Sequence, residues 1–157
     1  STDDSRTYGY GKSVWAMIDT ETRQPLNILA IRDGEIERYI EKDKECPIEG
    51  LSRVKMGKEA KLARTIDTYY CDVDVNGHIN SIKYIEHILD LFDIDHYRKF
   101  RIRRFDIAYV AESYCGDKLN FYTEERDDDT VCVRVTKTNA ETVDAEVVRC
   151  MLKFEKI

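Results

Sequence analysis

The run Tyr70-Cys71-Asp72-Val73-Asp74-Val75-Asn76-Gly77-His78-Ile79-Asn80 leads directly into Ser81-Ile82-Lys83-Tyr84-Ile85-Glu86-His87-Ile88-Leu89-Asp90-Leu91-Phe92. In the second part Ile82, Ile85, Ile88, Leu89 and Phe92 recur at helical spacing with Lys83, Glu86 and Asp90 between them, which predicts a largely buried amphipathic helix. In the first part a carboxylate, an amide and an imidazole alternate at Asp74, Asn76 and His78, so an extended chain puts all three on one face. Gly77 leaves room for backbone or substrate to approach. Asp, Asn and Gly are also ordinary turn residues, and composition alone does not separate a turn from a site. The helix favours a site, because the N–H groups of its first turn would face Gly77 to Asn80, where they can hold a developing oxyanion. The chemistry this points to is hydrolysis of an activated acyl group. Asp72, ahead of the alternating core, reads better as a turn or capping residue.

Beyond the helix the period changes to two. Phe105, Ile107 and Tyr109 alternate with Asp106, Ala108 and Val110, and further strand-like stretches run over Lys118 to Glu124, Val131 to Thr136 and Val143 to Glu155. Val131, Val133 and Val135 alternate with Cys132 and Arg134, and Val148, Cys150, Leu152 and Phe154 with Arg149, Met151 and Lys153, so each strand has one buried face. Asp127-Asp128-Asp129 and Thr138-Asn139-Ala140 are natural hairpin turns. These patterns predict an α+β fold, a long central helix wrapped by an antiparallel sheet.

The chain has 157 residues, a net charge of −6, 42% hydrophobic and 36% charged residues. That length buries a real core but seldom makes two full domains. No apolar run approaches the roughly 18 residues needed to span a bilayer, so no membrane span is expected. Ser1 to Arg6 is polar and has no apolar h-region. The five cysteines, Cys46, Cys71, Cys115, Cys132 and Cys150, form no CxxC pair, which points to reduced thiols and a cytoplasmic location. Cys71 and His78 lack the further ligands of a metal site, so no metal is expected. A Gly-rich nucleotide fingerprint is missing, and the acidic balance argues against nucleic acid. Arg32 to Lys61 is charge-rich, with a helix-like stretch around Glu35 to Lys42 and a breaker at Cys46-Pro47, and reads as a solvated connection.

DVDVNGHINSIKYIEHILDLF, from Asp72 to Phe92, resembles the second-hotdog signature of the acyl-ACP thioesterases, a D-x-N-x-H core followed by a helix start of the H-V-N-N-x-K-Y-I type. Tyr109-Val110-Ala111-Glu112-Ser113 resembles the family segment that carries a catalytic glutamate. The resemblance implies Asp74, Asn76, His78 and Glu112 as catalytic residues. Plant members carry cysteine after that glutamate, whereas this chain has Ser113, so a water nucleophile fits better. Lys12 to Asp19, followed by Thr22-Arg23-Gln24-Pro25, is similar to the last strand and exit turn of the family's first hotdog domain. On this reading residues 1–31 close a mostly absent first domain, 32–62 form an interdomain linker, 63–157 are the C-terminal hotdog, and the chain is expected to be a fragment.

The implied activity is hydrolysis of fatty acyl-ACP thioesters. Either Asp74 or Glu112 accepts the proton of attacking water and the other orients. His78 hydrogen-bonds the water or protonates the leaving thiolate, and Asn76 positions water or carbonyl. Thioester hydrolysis needs no cofactor. The implied partner is an acyl carrier protein, which is acidic. The cluster Arg98, Lys99, Arg101, Arg103 and Arg104 can receive it, or can instead be a strand edge kept unpaired by charge. Hotdog domains commonly pair, so a homo-oligomer is expected. A single-domain acyl-CoA thioesterase, a hotdog dehydratase and a non-catalytic acyl-binding module are the alternatives.

Overall fold

The computed structural model describes residues 7–22, 24–41, 43, 47–48, 50, 54–57 and 59–157. The polar start Ser1 to Arg6, Arg23 of the expected exit turn, Lys42 of the helix-like stretch and Cys46 of the breaker lie outside the described residues. The chain divides into two compact units, Ser1–Leu51 and Ser52–Ile157.

In the first unit a tight turn is organised by Asp19, whose Oδ1 accepts from the Thr22 N–H at 2.7 Å, the Thr22 hydroxyl at 2.9 Å and the Glu21 N–H at 3.0 Å. These bonds, the Thr22 N–H foremost, hold the Asp19 carboxyl below its ordinary value. The turn joins β1 (Met17–Ile18) to β2 (Pro25–Leu26) in an antiparallel pair. A 3-10 segment follows over Ile28–Tyr39, capped by Asn27 and interrupted where Arg32, Asp33 and Gly34 take φ of 48°, 52° and 78°. The helix-like stretch expected from Glu35 is therefore 3-10 in form and ends at Tyr39. No described residue of this unit is buried, and Trp15 is 89% exposed. Local hydrogen bonds rather than a core define its shape.

The second unit holds a five-stranded antiparallel sheet built from β3 (Lys61–Asp67), β4 (Phe100–Tyr109), β5 (Lys118–Asp127), β6 (Thr130–Thr138) and β7 (Ala145–Lys156), in the order β3-β5-β6-β7-β4. The alternation in β7 buries Val148, Cys150, Leu152 and Phe154, as period two requires. In β6 the core face carries Val133 and Val135, and Cys132 on the opposite face is buried as well. Asp128 and Asp129 close the β5–β6 hairpin between Asp127 and Thr130. The next turn is fixed by Asn139, whose Oδ1 accepts from the N–H groups of Glu141 and Thr142. Strand β7 starts two residues later than the alternation predicts, because Asp144 has φ of 56° and its Oδ1 accepts from the Thr136 and Tyr122 hydroxyls.

The predicted helix ends at Leu89, short of Phe92, and a second helix that the spacing did not predict follows it. Helix α1 spans Ser81–Leu89, with Asn80 as N-cap, and α2 spans Ile94–Lys99, with Asp93 as N-cap. Between them Leu91 and Phe92 donate to carbonyls three residues back, so the chain tightens and turns. Tyr84 and Ile88, one turn apart, are the buried residues of α1, while Ile82 is 55% exposed. Tyr84 draws the centre of the apolar stripe away from Ile82, a place the spacing of isoleucines alone did not reveal. Ile88, Leu119, Phe121 and Leu152 are fully buried where α1 meets the sheet, each contributing about 1.5–3 kcal/mol.

Candidate active site

The segment before α1 is a tight turn, not the extended strand that would set Asp74, Asn76 and His78 on one face. Val73 and Ile79 pair as an antiparallel bridge, the Asp74 N–H donates to the His78 carbonyl at 2.8 Å, and the Gly77 N–H donates to the Asp74 carbonyl at 3.1 Å. Gly77 takes φ of 83°, which L side chains rarely adopt. Asp74 organises this turn: its Oδ1 accepts from the N–H groups of Asn76 at 2.8 Å and His78 at 3.2 Å. Asn76 lies exposed at the tip. Asp72 is buried and behaves as the turn residue expected, its Oδ2 accepting the Tyr69 N–H and its carbonyl the Asn80 N–H.

The second expected segment leaves β4 and returns to the same place. His78 and Tyr114 form a backbone bridge, and the Ile79 N–H donates to the Ser113 carbonyl at 2.8 Å. The Glu112 carboxylate is thereby brought to the imidazole, with Oε2 at 3.4 Å from His78 Nε2 and both side chains partly exposed. A carboxylate beside an imidazole at a solvent-reached turn is able to hold and move a proton. Ser113 points the other way. It is buried, and its Oγ shares a hydrogen bond with the buried Tyr84 hydroxyl, whose phenol is pushed up by that burial. This serine joins α1 to the loop and does not face the Glu112–His78 pair.

The start of α1 differs from expectation as an oxyanion site. The Ile82 N–H donates to Asn80 Oδ1 at 3.0 Å and the Lys83 N–H to the Asn80 carbonyl at 2.9 Å, so these first-turn donors are already engaged. Asn80 was not read as an N-cap, although its place before the helix is the signal for one, and Tyr114 and Lys137 carried no motif. The Tyr114 hydroxyl donates to Glu112 Oε2 at 3.2 Å, and Lys137 Nζ donates to the Glu112 carbonyl at 2.8 Å. Among the described residues no group of His, Cys, Asp and Glu is arranged to hold a metal, and no helix is long and apolar enough to cross a membrane.

The basic cluster lies along α2 and β4, an edge strand of the sheet. Arg98 pairs with Asp95 and Arg104 with Asp106, while Arg101 and Arg103 share the Glu155 carboxylate. The two arginines hold that carboxyl below its ordinary range. Sharing one carboxylate leaves positive charge in excess on this edge.

A five-stranded antiparallel sheet packed against α1 is the hotdog architecture, the fold of the hotdog thioesterases. Residues 55–156 match the acyl-ACP thioesterase C-terminal domain, and the chain belongs to that family. It is similar to the crystal structure of an acyl-ACP thioesterase from Bacteroides thetaiotaomicron, with 45% identity over 88% of this chain and 53% of that one and a TM-score of 0.76. The 12:0-ACP thioesterase from Umbellularia californica shares 20% identity over 89% of this chain and 53% of its own, with a TM-score of 0.70. The hexameric thioesterase y2039 from Yersinia pestis shares the fold at 12% identity, covering 65% of this chain and 91% of its own, with a TM-score of 0.54. This chain thus spans about half the length of the first two structures. No curated protein matches it.

Proposed function

We propose that this chain serves the hydrolysis of fatty acyl-ACP thioesters to free fatty acid and acyl carrier protein. The 3.4 Å approach of Glu112 Oε2 to His78 Nε2, in a chain of this family, carries the reading. Glu112 takes a proton from a water as the water oxygen bonds to the thioester carbon, that proton passes across the 3.4 Å contact to His78, and as the C–S bond breaks His78 gives it to the departing thiolate. Asp74 serves by holding the turn, since its Oδ1 is already engaged by two backbone N–H groups. With the donors of Ile82 and Lys83 engaged, the exposed Asn76 carboxamide is the group assigned to the carbonyl oxygen. The excess positive charge beside β4 supports an acidic carrier as partner, and pairing through the sheet, in the cytoplasm, completes the proposal.

The test is thioester hydrolysis across a panel of acyl-ACP and acyl-CoA substrates. The chain is used alone and fused behind the N-terminal half of the Bacteroides thetaiotaomicron thioesterase. Turnover that prefers acyl-ACP and falls at least about 100-fold in both His78→Ala and Glu112→Ala is the expected result. Preference for acyl-CoA would move the carrier assignment, and binding without turnover in both folded forms would leave an acyl-binding module.

A further inference from the structure

Tyr114 lies outside the D-x-N-x-H motif, yet it touches both members of the pair. Its hydroxyl donates to Glu112 Oε2 at 3.2 Å, the same oxygen that stands 3.4 Å from His78 Nε2. Its ring meets the imidazole edge-on, with centroids 5.2 Å apart at 75°. Lys137 Nζ lies 5.3 Å from the centre of the phenol ring while donating to the Glu112 carbonyl. That lysine is 16% exposed and stands 4.0 Å from Asp117, which also accepts the Tyr114 N–H at 2.9 Å and the Asn139 amide at 2.7 Å.

We propose that Tyr114, braced by Lys137, is a positioning residue that fastens one oxygen of Glu112 against His78. The proposal rests on the reading of His78 and Glu112 as the reacting pair. A partly exposed glutamate has three side-chain torsions and many orientations, most of which lose the imidazole. A hydrogen bond to a charged carboxylate is among the stronger ones a phenol can make. The phenol has fewer torsions, and its half-exposed ring is contacted by both the His78 imidazole and the Lys137 ammonium, which narrows the positions its hydroxyl can take. Among the described residues, charged groups near the pair include Asp74 in the turn, Lys137 from β6 and Asp117 in the loop, and Asp117 acts by anchoring Lys137 and the Tyr114 backbone.

The experiment follows the 15N resonance of His78 Nε2 at one fixed pH in the 157-residue chain. The sequence has three histidines, so His78→Gln assigns the signal. Glu112→Gln shows where the resonance lies without the carboxylate. Tyr114→Phe keeps the ring and removes only the hydroxyl, so the ring's packing on His78 survives. The proposal expects Tyr114→Phe to shift the resonance toward its position in Glu112→Gln, as the unfastened carboxylate leaves the imidazole. A wild-type position in Tyr114→Phe, or a shift the other way, overturns the positioning role while the His78–Glu112 pair stands. An unmoved resonance in Glu112→Gln overturns the pair and the proposal together.

Discussion

Asp74 and Glu112 carry the same functional group and are suited to different tasks by what already occupies their oxygens. Asp74 Oδ1 accepts the N–H groups of Asn76 and His78, so this carboxylate is part of the turn that sets His78 in place. Glu112 Oε2 instead meets side chains, the His78 imidazole and the Tyr114 hydroxyl, from a loop anchored elsewhere. Asparagine at 74 keeps an acceptor oxygen for both N–H groups, whereas alanine leaves them without one. We therefore expect Asp74→Ala to lower stability by about 1–3 kcal/mol and thioester turnover by at least about 100-fold. Asp74→Asn should stay within about 1 kcal/mol and within about tenfold. Urea melts and turnover of the two variants decide the matter. Equal inactivity of both, with stability intact, would make Asp74 the general base and displace Glu112 from that role.

At the scale of elements, α1 is held by one line of side chains. Tyr84 and Ile88 face the sheet, Ile85 and Leu89 flank them half-buried, and Ile82 stands in solvent. Ile88→Ala should destabilise the second unit by about 2–5 kcal/mol, because a fully buried side chain is removed from a packed site. Ile82→Ala should change stability by less than about 0.5 kcal/mol. A urea titration that ranks the two the other way would mean that α1 turns a different face to the sheet, with Ile82 inside and Ile88 in solvent. The same contrast shows what could be read beforehand. Strands β5 to β7 were legible because burial on one face forces a period of two, and no other arrangement of Val148, Cys150, Leu152 and Phe154 is as economical. The edge strand β3 was not, since Lys61, Arg64 and Asp67 interrupt a strand with no buried residue. For the candidate site, the resemblance drew attention to His78 and Glu112, which the fold brings to 3.4 Å, but it carried none of their geometry. Alternation suggested an extended segment where the positive φ of Gly77 and the two bonds to Asp74 Oδ1 make a turn. Tyr114 and Lys137 reach Glu112 only through contacts between segments distant in sequence, which no local pattern encodes.

For the molecule as a whole, stability is concentrated in the second unit, where every buried residue among those described is found. Two of its buried side chains are thiols, and that makes the fold sensitive to alkali. Burial pushes the Cys150 thiol up strongly, with neighbouring Cys132 and Asp106 adding to it, and burial also pushes up the Cys132 thiol. Below an unfolded thiol value of about 8.5 both states are protonated and the full stability is present. Above it the unfolded chain releases protons that the native state retains, so stability falls as pH rises. The slope is about 1.4 kcal/mol per pH unit for each thiol, until the folded values are passed. The buried Tyr84 phenol adds to the loss above about pH 10. Urea melts between pH 7 and 10 should therefore stay level up to about pH 8.5 and then weaken. Cys150→Ala, although less stable at pH 7 because its thiol volume is lost, should show the shallower alkaline slope. Of the four described cysteines, a thiol reagent should find the exposed Cys71 and Cys115 in the native chain and reach Cys132 and Cys150 only on unfolding. An alkaline slope identical in wild type and Cys150→Ala would show that the Cys150 thiol retains no proton on folding, and would assign the loss of stability to other groups.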